Sequence, residues 1–198
     1  MSGRRGMKRW VTFGVGIVLA GALASAVVAS RIDDGSDLVA AIEEAPLTQV
    51  ASIDAADSAG ELGVFVQTTE TGHLCVWEAP SATSRQRGGG CNTADDPLNG
   101  SAISATLSYD GGPAISSVKT ATVFGLTAPE VAQVDVLMSD GSSRTVKLRK
   151  AKIASDEFRA FGHRIRKSDL RKGIGPTAIV AYDASGAELA RQPTGIGG

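Results

Sequence analysis

An uncharged run of apolar and small residues fills positions 10–30, and no other feature limits the architecture of this chain as strongly. A membrane-spanning helix needs about 20 mostly apolar residues, so the run is long enough to cross a bilayer. A signal peptide is the alternative, because small residues that suit a cleavage site follow the most apolar part of the run. Either interpretation exports the rest of the chain, and the sequence leaves both open.

The charges that flank this run predict its orientation. Basic residues precede it and acidic residues follow it, so the positive-inside tendency keeps residues 1–9 in the cytoplasm as a short tail. We therefore expect a single-pass protein of the cell membrane with an extracytoplasmic main domain, or a secreted protein if the segment is cleaved. The basic residues are Arg4, Arg5, Lys8 and Arg9, and the acidic residues are Asp33, Asp34 and Asp37.

The 198-residue chain divides further after the apolar run. Residues 31–61 are acidic and rich in alanine, and Pro46 follows a candidate helix at 38–45, so we expect a stalk with one short helix. From residue 62 to residue 198, apolar and polar residues alternate in the manner of β-strands, which predicts an extracytoplasmic β domain. This length suits one domain and excludes two full-sized ones.

Three pairs of segments flank turn-like residues and predict β-hairpins, and the strands of the first pair are apolar on both faces. The first pairs residues 64–66 with residues 74–77, the second turns at Asp140-Gly141, and the third turns at residues 183–186. An Asp-Gly pair between alternating segments is a strong signal for a tight hairpin turn.

Two further segments complete the fold prediction. Residues 103–109 alternate as a half-buried strand, whereas the glycine-rich residues 80–100 predict a long loop. About seven short strands with regular turns favour a mainly β fold, namely an antiparallel β-sandwich-like domain. One N-terminal transmembrane helix and the short helical stalk would precede this domain.

The chain contains two cysteines, Cys75 and Cys91, and export would place them where disulfides persist. We predict a disulfide between them. A metal site is the alternative, because His73 lies two residues before Cys75. Zinc, however, needs three or four ligands at characteristic spacing, and His163 is the one other histidine. We therefore predict no metal and no cofactor.

Four short segments resemble a class of uncharacterised exported domains of actinobacteria, namely residues 122–126, residues 129–134, Asp140-Gly141-Ser142 and residues 182–186. In that class a V-x-G-L segment leads into a V-x-x-V strand and a D-G hairpin, and a D-A-x-G turn comes late. The similarity covers residues 74–191 and implies a fold and an exported location, but no activity. Residues 151–175 depart from it because they are unusually basic.

Charge is distributed unevenly along the chain, although the formal net charge is −1. Residues 144–172 hold eleven lysines and arginines against three carboxylates, whereas residues 31–143 hold four basic residues against sixteen acidic ones. Such a basic block attracts polyanions through its summed field. The alternative is a structural role, in which the block neutralises the acidic stalk or solvates a loop.

An exported basic block limits the partners that can be expected. The polyanions within its reach are anionic lipid head groups and phosphate-bearing wall polymers, and a protein partner is also open. Nucleic acid is not an expected partner of an exported domain. Within the block, Phe158 and Phe161 are three residues apart, which predicts the buried face of a short helix. The candidate polyanion contacts are Arg159, Arg164, Arg166, Lys167, Arg171 and Lys172.

The motifs that define common enzyme classes are absent from the sequence. It contains no G-x-S-x-G, no H-E-x-x-H, no P-loop and no dinucleotide fingerprint, so no catalytic residue is assigned. The first functional hypothesis is therefore a non-catalytic binding or envelope-associated protein. The second is a small extracytoplasmic hydrolase with an unrecognised active site, which is suggested by the long glycine-rich loop near His73 and Asp95-Asp96.

Overall fold

The structure is a computed structural model that describes residues 46–53, 61–84, 87–112 and 114–194. The predicted cytoplasmic tail, the apolar run at 10–30 and the stalk helix at 38–45 lie outside the described residues. Within the described ranges, no helix is long and apolar enough to cross a membrane.

The described residues form twelve strands in three four-stranded antiparallel sheets, so the mainly β prediction is confirmed. The first sheet has the order β1 (Thr48–Ile53), β2 (Leu62–Thr68), β3 (His73–Ala79) and β4 (Gly88–Thr93). The second has the order β5 (Ile103–Gly111), β6 (Val118–Thr127), β10 (Asp156–Arg164) and β9 (Arg149–Ile153). The third has the order β12 (Glu188–Pro193), β11 (Pro176–Tyr182), β7 (Gln133–Met138) and β8 (Ser143–Val146).

The second sheet packs against both of the others. Its strands can contribute to two cores because successive side chains of a strand point to opposite faces. On β6, Phe124 belongs to the first core, which the second sheet shares with Val64 and other residues of the first sheet. The neighbouring Val123 belongs to the second core, which lies against Val136 and other residues of the third sheet. A 3₁₀ turn at Ile115–Ser117 and the short helix α1 (Lys167–Arg171) complete the described structure.

The two phenylalanines of the basic block, Phe158 and Phe161, show that the second sheet packs on both of its faces. Phe158 and Phe161 are both buried, as expected, but the predicted helix is wrong, because both residues lie on strand β10. A spacing of three puts strand residues on opposite faces. Phe158 accordingly enters the first core and Phe161 the second.

Two segments expected to be irregular are strands. The stalk prediction for residues 31–61 is corrected in part, because Thr48–Ile53 pairs with β2 as an edge strand of the first sheet. The loop prediction for residues 80–100 is corrected by Gly88–Thr93, which pairs with β3. These strands help to raise the total to twelve, against the seven expected.

The three predicted hairpins are confirmed as β2 with β3, β7 with β8, and β11 with β12. The first sheet lies close to the second because Gly162 of β10 has no side chain. A Cβ at Gly162 would lie 3.0 Å from Val64 and would overlap the side chain of Ile53 on β1. Strand β1 therefore lies directly over β10, which is part of the basic block at 144–172.

Candidate functional site

The six predicted polyanion contacts do not form one surface. Arg159 and Arg164 both lie on β10, but their spacing of five places them on opposite faces of the strand. The other four lie at α1: Arg166 directly precedes the helix, Lys167 and Arg171 belong to it, and Lys172 directly follows it. The structure therefore separates Arg159 from the group at the helix.

Two exposed cations of strand β9, Lys150 and Lys152, lie on the same face of the sheet as Arg159, whereas Arg149, which is opposite Ala160, lies on the other face. Strand β9 pairs with β10 alone, and its polar side chains Arg149, Lys150 and Lys152 are exposed, while Ala151 and Ile153 enter the first core. These cations belong to the basic block at 144–172 but are not among the six predicted contacts. Their alternation with buried Ala151 and Ile153 was the available signal.

The pairing of β9 with β10 places like charges together. Lys150 lies directly opposite Arg159, whereas Lys152 lies opposite Glu157. Like charges directly opposite each other destabilise an antiparallel pair, so the Lys150 and Arg159 pairing opposes folding. We call the four cations Arg149, Lys150, Lys152 and Arg159 the basic edge.

The basic edge is not neutralised within the described part of the chain. Two ion pairs among the described residues join Arg144 to Asp169 at 3.7 Å and Arg191 to Glu188 at 2.6 Å. None of the four cations of the basic edge has a carboxylate oxygen within 4.0 Å among the described residues.

Side-chain hydrogen bonds link the sheets on the side opposite the basic edge. The Gln192 side chain of β12 accepts from Ala105 N at 3.0 Å and donates to Ala105 O at 2.7 Å. Asn92 of β4 donates to Ser104 Oγ of β5 at 3.1 Å. Strands β4, β5 and β12 are thus linked through polar groups. At the other side, an open groove of about 480 Å³ lies between β1 and β9.

The glycine-rich strand β4 is covered on one face by aromatic and polar groups. The predicted disulfide is confirmed, with Cys75 of β3 directly opposite Cys91 of β4. Trp77 donates from Nε1 to Oε1 of Gln67 at 3.0 Å, and the Arg87 guanidinium carbon lies 5.0 Å from the centre of the indole ring. Trp77 is thereby held against β4, which supports a structural role for this group.

Two exposed turn aspartates have pKa values below the ordinary value of 3.8. The hydroxyl and backbone amide of Ser142 hold down the pKa of Asp140, and the Ser185 hydroxyl followed by the Ala187 amide does the same for Asp183. Hydrogen bonds to a carboxylate favour its charged form. Both groups stabilise hairpin turns, and they lie in two of the segments that carry the resemblance to exported domains.

The hydrolase hypothesis relied on His73 and the segment around Asp95 and Asp96. His73 Nδ1 lies 3.2 Å from Thr71 Oγ1 in an exposed turn, and Asp96 Oδ1 accepts from Gly100 N at 2.8 Å. These contacts are local turn contacts. Among the described residues, no three His, Cys, Asp or Glu side chains are grouped so that they could hold a metal ion.

No protein family, curated protein or solved structure matches the chain. The resemblance to exported actinobacterial domains therefore stays a prediction. The fold and the surface instead define a β domain of three antiparallel sheets, whose edge strand β9 carries exposed cations.

Proposed function

We propose that this chain is a non-catalytic, single-pass membrane protein whose extracytoplasmic, antiparallel β-sandwich-like domain binds a polyanion in the cell envelope. The basic edge is the binding surface in this proposal. Anionic lipid head groups and phosphate-bearing polymers are the two polyanion classes that such a domain meets.

The observation that carries the proposal is the pairing of Lys150 with Arg159. The pairing destabilises the isolated domain, since like charges directly opposite cost up to about 1 kcal/mol. A bound anion reverses the sign of this contribution, because it interacts favourably with both cations. A basic edge strand also resists pairing with other chains, but the cross-strand cation Arg159 is not needed for that protection.

The proposed location is supported by two features of the chain. The apolar run at 10–30, preceded by basic residues, suits a membrane anchor with the β domain outside. The disulfide between Cys75 and Cys91 suits an oxidising compartment, where such bonds persist.

The test measures retention of the full-length chain, held in phosphatidylcholine nanodiscs, on an immobilised polyanion across a salt series. We expect strong retention at an ionic strength of about 0.01 M, where the Debye length is about 30 Å, and release near 1 M, where it is about 3 Å. Negligible retention at the lowest ionic strength contradicts the proposal.

A charge reversal separates binding from folding. Lys150→Glu places a carboxylate opposite Arg159, so we expect weaker retention together with stability that is unchanged or higher by up to about 1 kcal/mol. Lys119→Glu is the matched control, because Lys119 is an exposed cation of β6 that lies outside the basic segment. Equal loss of retention in both variants would show that net charge alone determines binding.

A further inference from the structure

The connection between β4 and β5 contains Asn99, one of the two asparagines of the chain, and Gly100 follows it directly. Both residues are exposed, and both have a positive φ, of 54° for Asn99 and 70° for Gly100. Asparagine and glycine are the residues that tolerate this left-handed backbone conformation in a tight turn. In an asparagine followed by glycine, the next backbone nitrogen can attack the side-chain carbonyl carbon, because glycine has no side chain to obstruct the attack.

The two asparagines have opposite environments. The side-chain amide of Asn92 donates to Pro97 O at 2.8 Å and to Ser104 Oγ at 3.1 Å. For Asn99, no side-chain hydrogen bond is present among the described residues. Asn92 would have to break two hydrogen bonds before it reacted, and the residue that follows it, Thr93, is β-branched and obstructs the attack. We therefore expect the reaction at Asn99 and not at Asn92.

Asp96 holds the nitrogen that would attack. Gly100 N donates to Asp96 Oδ1 at 2.8 Å. The attacking species is the deprotonated amide nitrogen, and a hydrogen bond to a carboxylate favours the protonated amide instead. The neighbouring Asp95 is also exposed, but its side chain makes no hydrogen bond among the described residues. Asp96 is thus placed to slow the reaction, whereas Asp95 contributes only its charge.

We propose that Asn99 is a site of spontaneous deamidation and that Asp96 sets its rate by holding Gly100 N. The Gly100 nitrogen forms a bond to Cγ of Asn99, and Nδ2 leaves as ammonia with the proton of the backbone amide. One water then adds to either carbonyl carbon of the resulting succinimide ring, and the bond from that carbon to nitrogen breaks. Opening at Cγ gives aspartate, and opening at the main-chain carbonyl gives isoaspartate. One water is consumed and one ammonia is released, so neither an oxidant nor a reductant is needed.

The modification would alter the connection between the first and second sheets. Residues 94–102 join β4 to β5, and within them Leu98 packs against both cores. Ser101 N donates to Leu98 O at 3.2 Å across the turn that contains Asn99. Isoaspartate adds one carbon atom to the main chain inside this turn, so the hydrogen bond cannot keep its geometry. We expect converted molecules to unfold at a lower urea concentration, independently of polyanion binding.

The experiment incubates the full-length chain in phosphatidylcholine nanodiscs at pH 8 for several weeks. Peptide mass spectrometry measures the replacement of NH by oxygen at Asn99 and Asn92, with fragmentation that distinguishes isoaspartate from aspartate. We compare Asp96→Ala with Asp95→Ala, since each removes one exposed carboxylate from the same connection. Asp96→Ala should accelerate conversion of Asn99 at least about fivefold, as the loss of one hydrogen bond does. Asp95→Ala should change the rate by less than about twofold, because its charge acts only through the screened field.

The wild type keeps the proposal testable if Asp96→Ala fails to fold. It should yield both aspartate and isoaspartate at Asn99 while Asn92 stays intact. The rate should rise from pH 6 to pH 8, because the attacking nitrogen must first lose its proton. Aspartate without isoaspartate would mean that water hydrolyses the side-chain amide directly, which overturns the succinimide route.

The remaining outcomes are equally decisive. If Asn99 converts no faster than Asn92 in the wild type and in Asp96→Ala, the modification site is overturned. If Asp96→Ala and Asp95→Ala accelerate the reaction equally, negative charge alone controls the rate, and the role of Asp96 is overturned. If converted and unconverted molecules unfold at the same urea concentration, the expected effect on the connection between the sheets is wrong.

Discussion

Gly89 shows at the residue scale why the glycine run of β4 can form a strand. A Cβ at Gly89 would lie 2.6 Å from the indole of Trp77 and would overlap the carbonyl oxygen of Val76. The indole takes the space that a side chain on β4 would otherwise fill, as in the packing of an aromatic ring over a cross-strand glycine. Glycine is required at position 89 because Trp77 and the Val76 carbonyl come too close for a Cβ, and not because the segment is a loop.

We therefore expect Gly89→Ala to lower the free energy of unfolding by about 1–3 kcal/mol, as overpacking does. Gly90→Ala is the matched control on the same strand, because a Cβ there meets no atom within 4 Å. It should be neutral or stabilising by up to about 1 kcal/mol, because it reduces the entropy of the unfolded chain. Urea unfolding monitored by circular dichroism compares the two, and equal midpoints would refute the proposed packing.

Asp183 predicts a pH dependence of stability. Hydrogen bonds from Ser185 and Ala187 lower its pKa in the folded protein, so its contribution is fully present above the unfolded value near 3.8. The contribution is lost as the pH falls through the lower folded value. Asp183→Asn should consequently lower stability slightly at pH 7 and have a smaller effect near pH 2. Unfolding by urea at both pH values is the measurement, and a larger effect at pH 2 would be the wrong sign.

At the scale of elements, the disulfide joins strands β3 and β4 across 16 positions of sequence. Closing a loop of about 15 residues stabilises a fold by about 3 kcal/mol in the chain-entropy model, so reduction should lower the free energy of unfolding by about that amount. The measurement is urea unfolding with and without a thiol reductant. The double variant C75A/C91A should not respond to the reductant, and a wild type that also fails to respond would contradict the prediction.

The strands that sequence analysis found and missed differ in one physical respect. Turn signals such as Asp140-Gly141 and the Asp183 turn are local, and they predicted two hairpins that the structure contains. Strand β4 carries a glycine run whose packing depends on Trp77, which is twelve residues away along the chain. Strand β1 is short and exposed on one face, so its own sequence does not predict a strand. It is a strand because it pairs with β2.

The candidate site likewise has one part that the sequence predicts and another that depends on tertiary contacts. The excess of cations in residues 144–172 could be read directly from the sequence. Which of these cations lie together depends on the strand face that each occupies and on the edge position of β9. Both are set by the tertiary pairing of the strands. The predicted contacts included Arg159 but not Arg149 or Lys150, because the pairing of β9 with β10 is not visible in the sequence. The spacing between Phe158 and Phe161 was misinterpreted for a related reason, since period alone does not distinguish a buried strand from a short helix.

At the scale of the whole molecule, the two sides of the sheet stack differ. Strands β4, β5 and β12 are joined by hydrogen bonds from Asn92 and Gln192, so that side is closed by polar links. Strands β1 and β9 leave a groove on the other side, where the basic edge lies. Among the described residues, polar links between the sheets therefore lie on one side of the domain and the exposed cations of β9 lie on the other.

The shared second sheet also predicts that the two cores unfold together. Ile179 lies in the second core on β11 and is remote from the first sheet. Ile179→Val should cost about 1 kcal/mol, which corresponds to about a fivefold increase in any amide exchange that requires global unfolding. Hydrogen exchange should therefore accelerate by the same factor in β2 of the first sheet as in β11. Leu189→Ala is the control, because Leu189 is 39% exposed on β12 and its truncation should change exchange little. Acceleration confined to the third sheet would show that the sheets unfold independently, since only a cooperative unit transmits a loss in one core to amides that border the other.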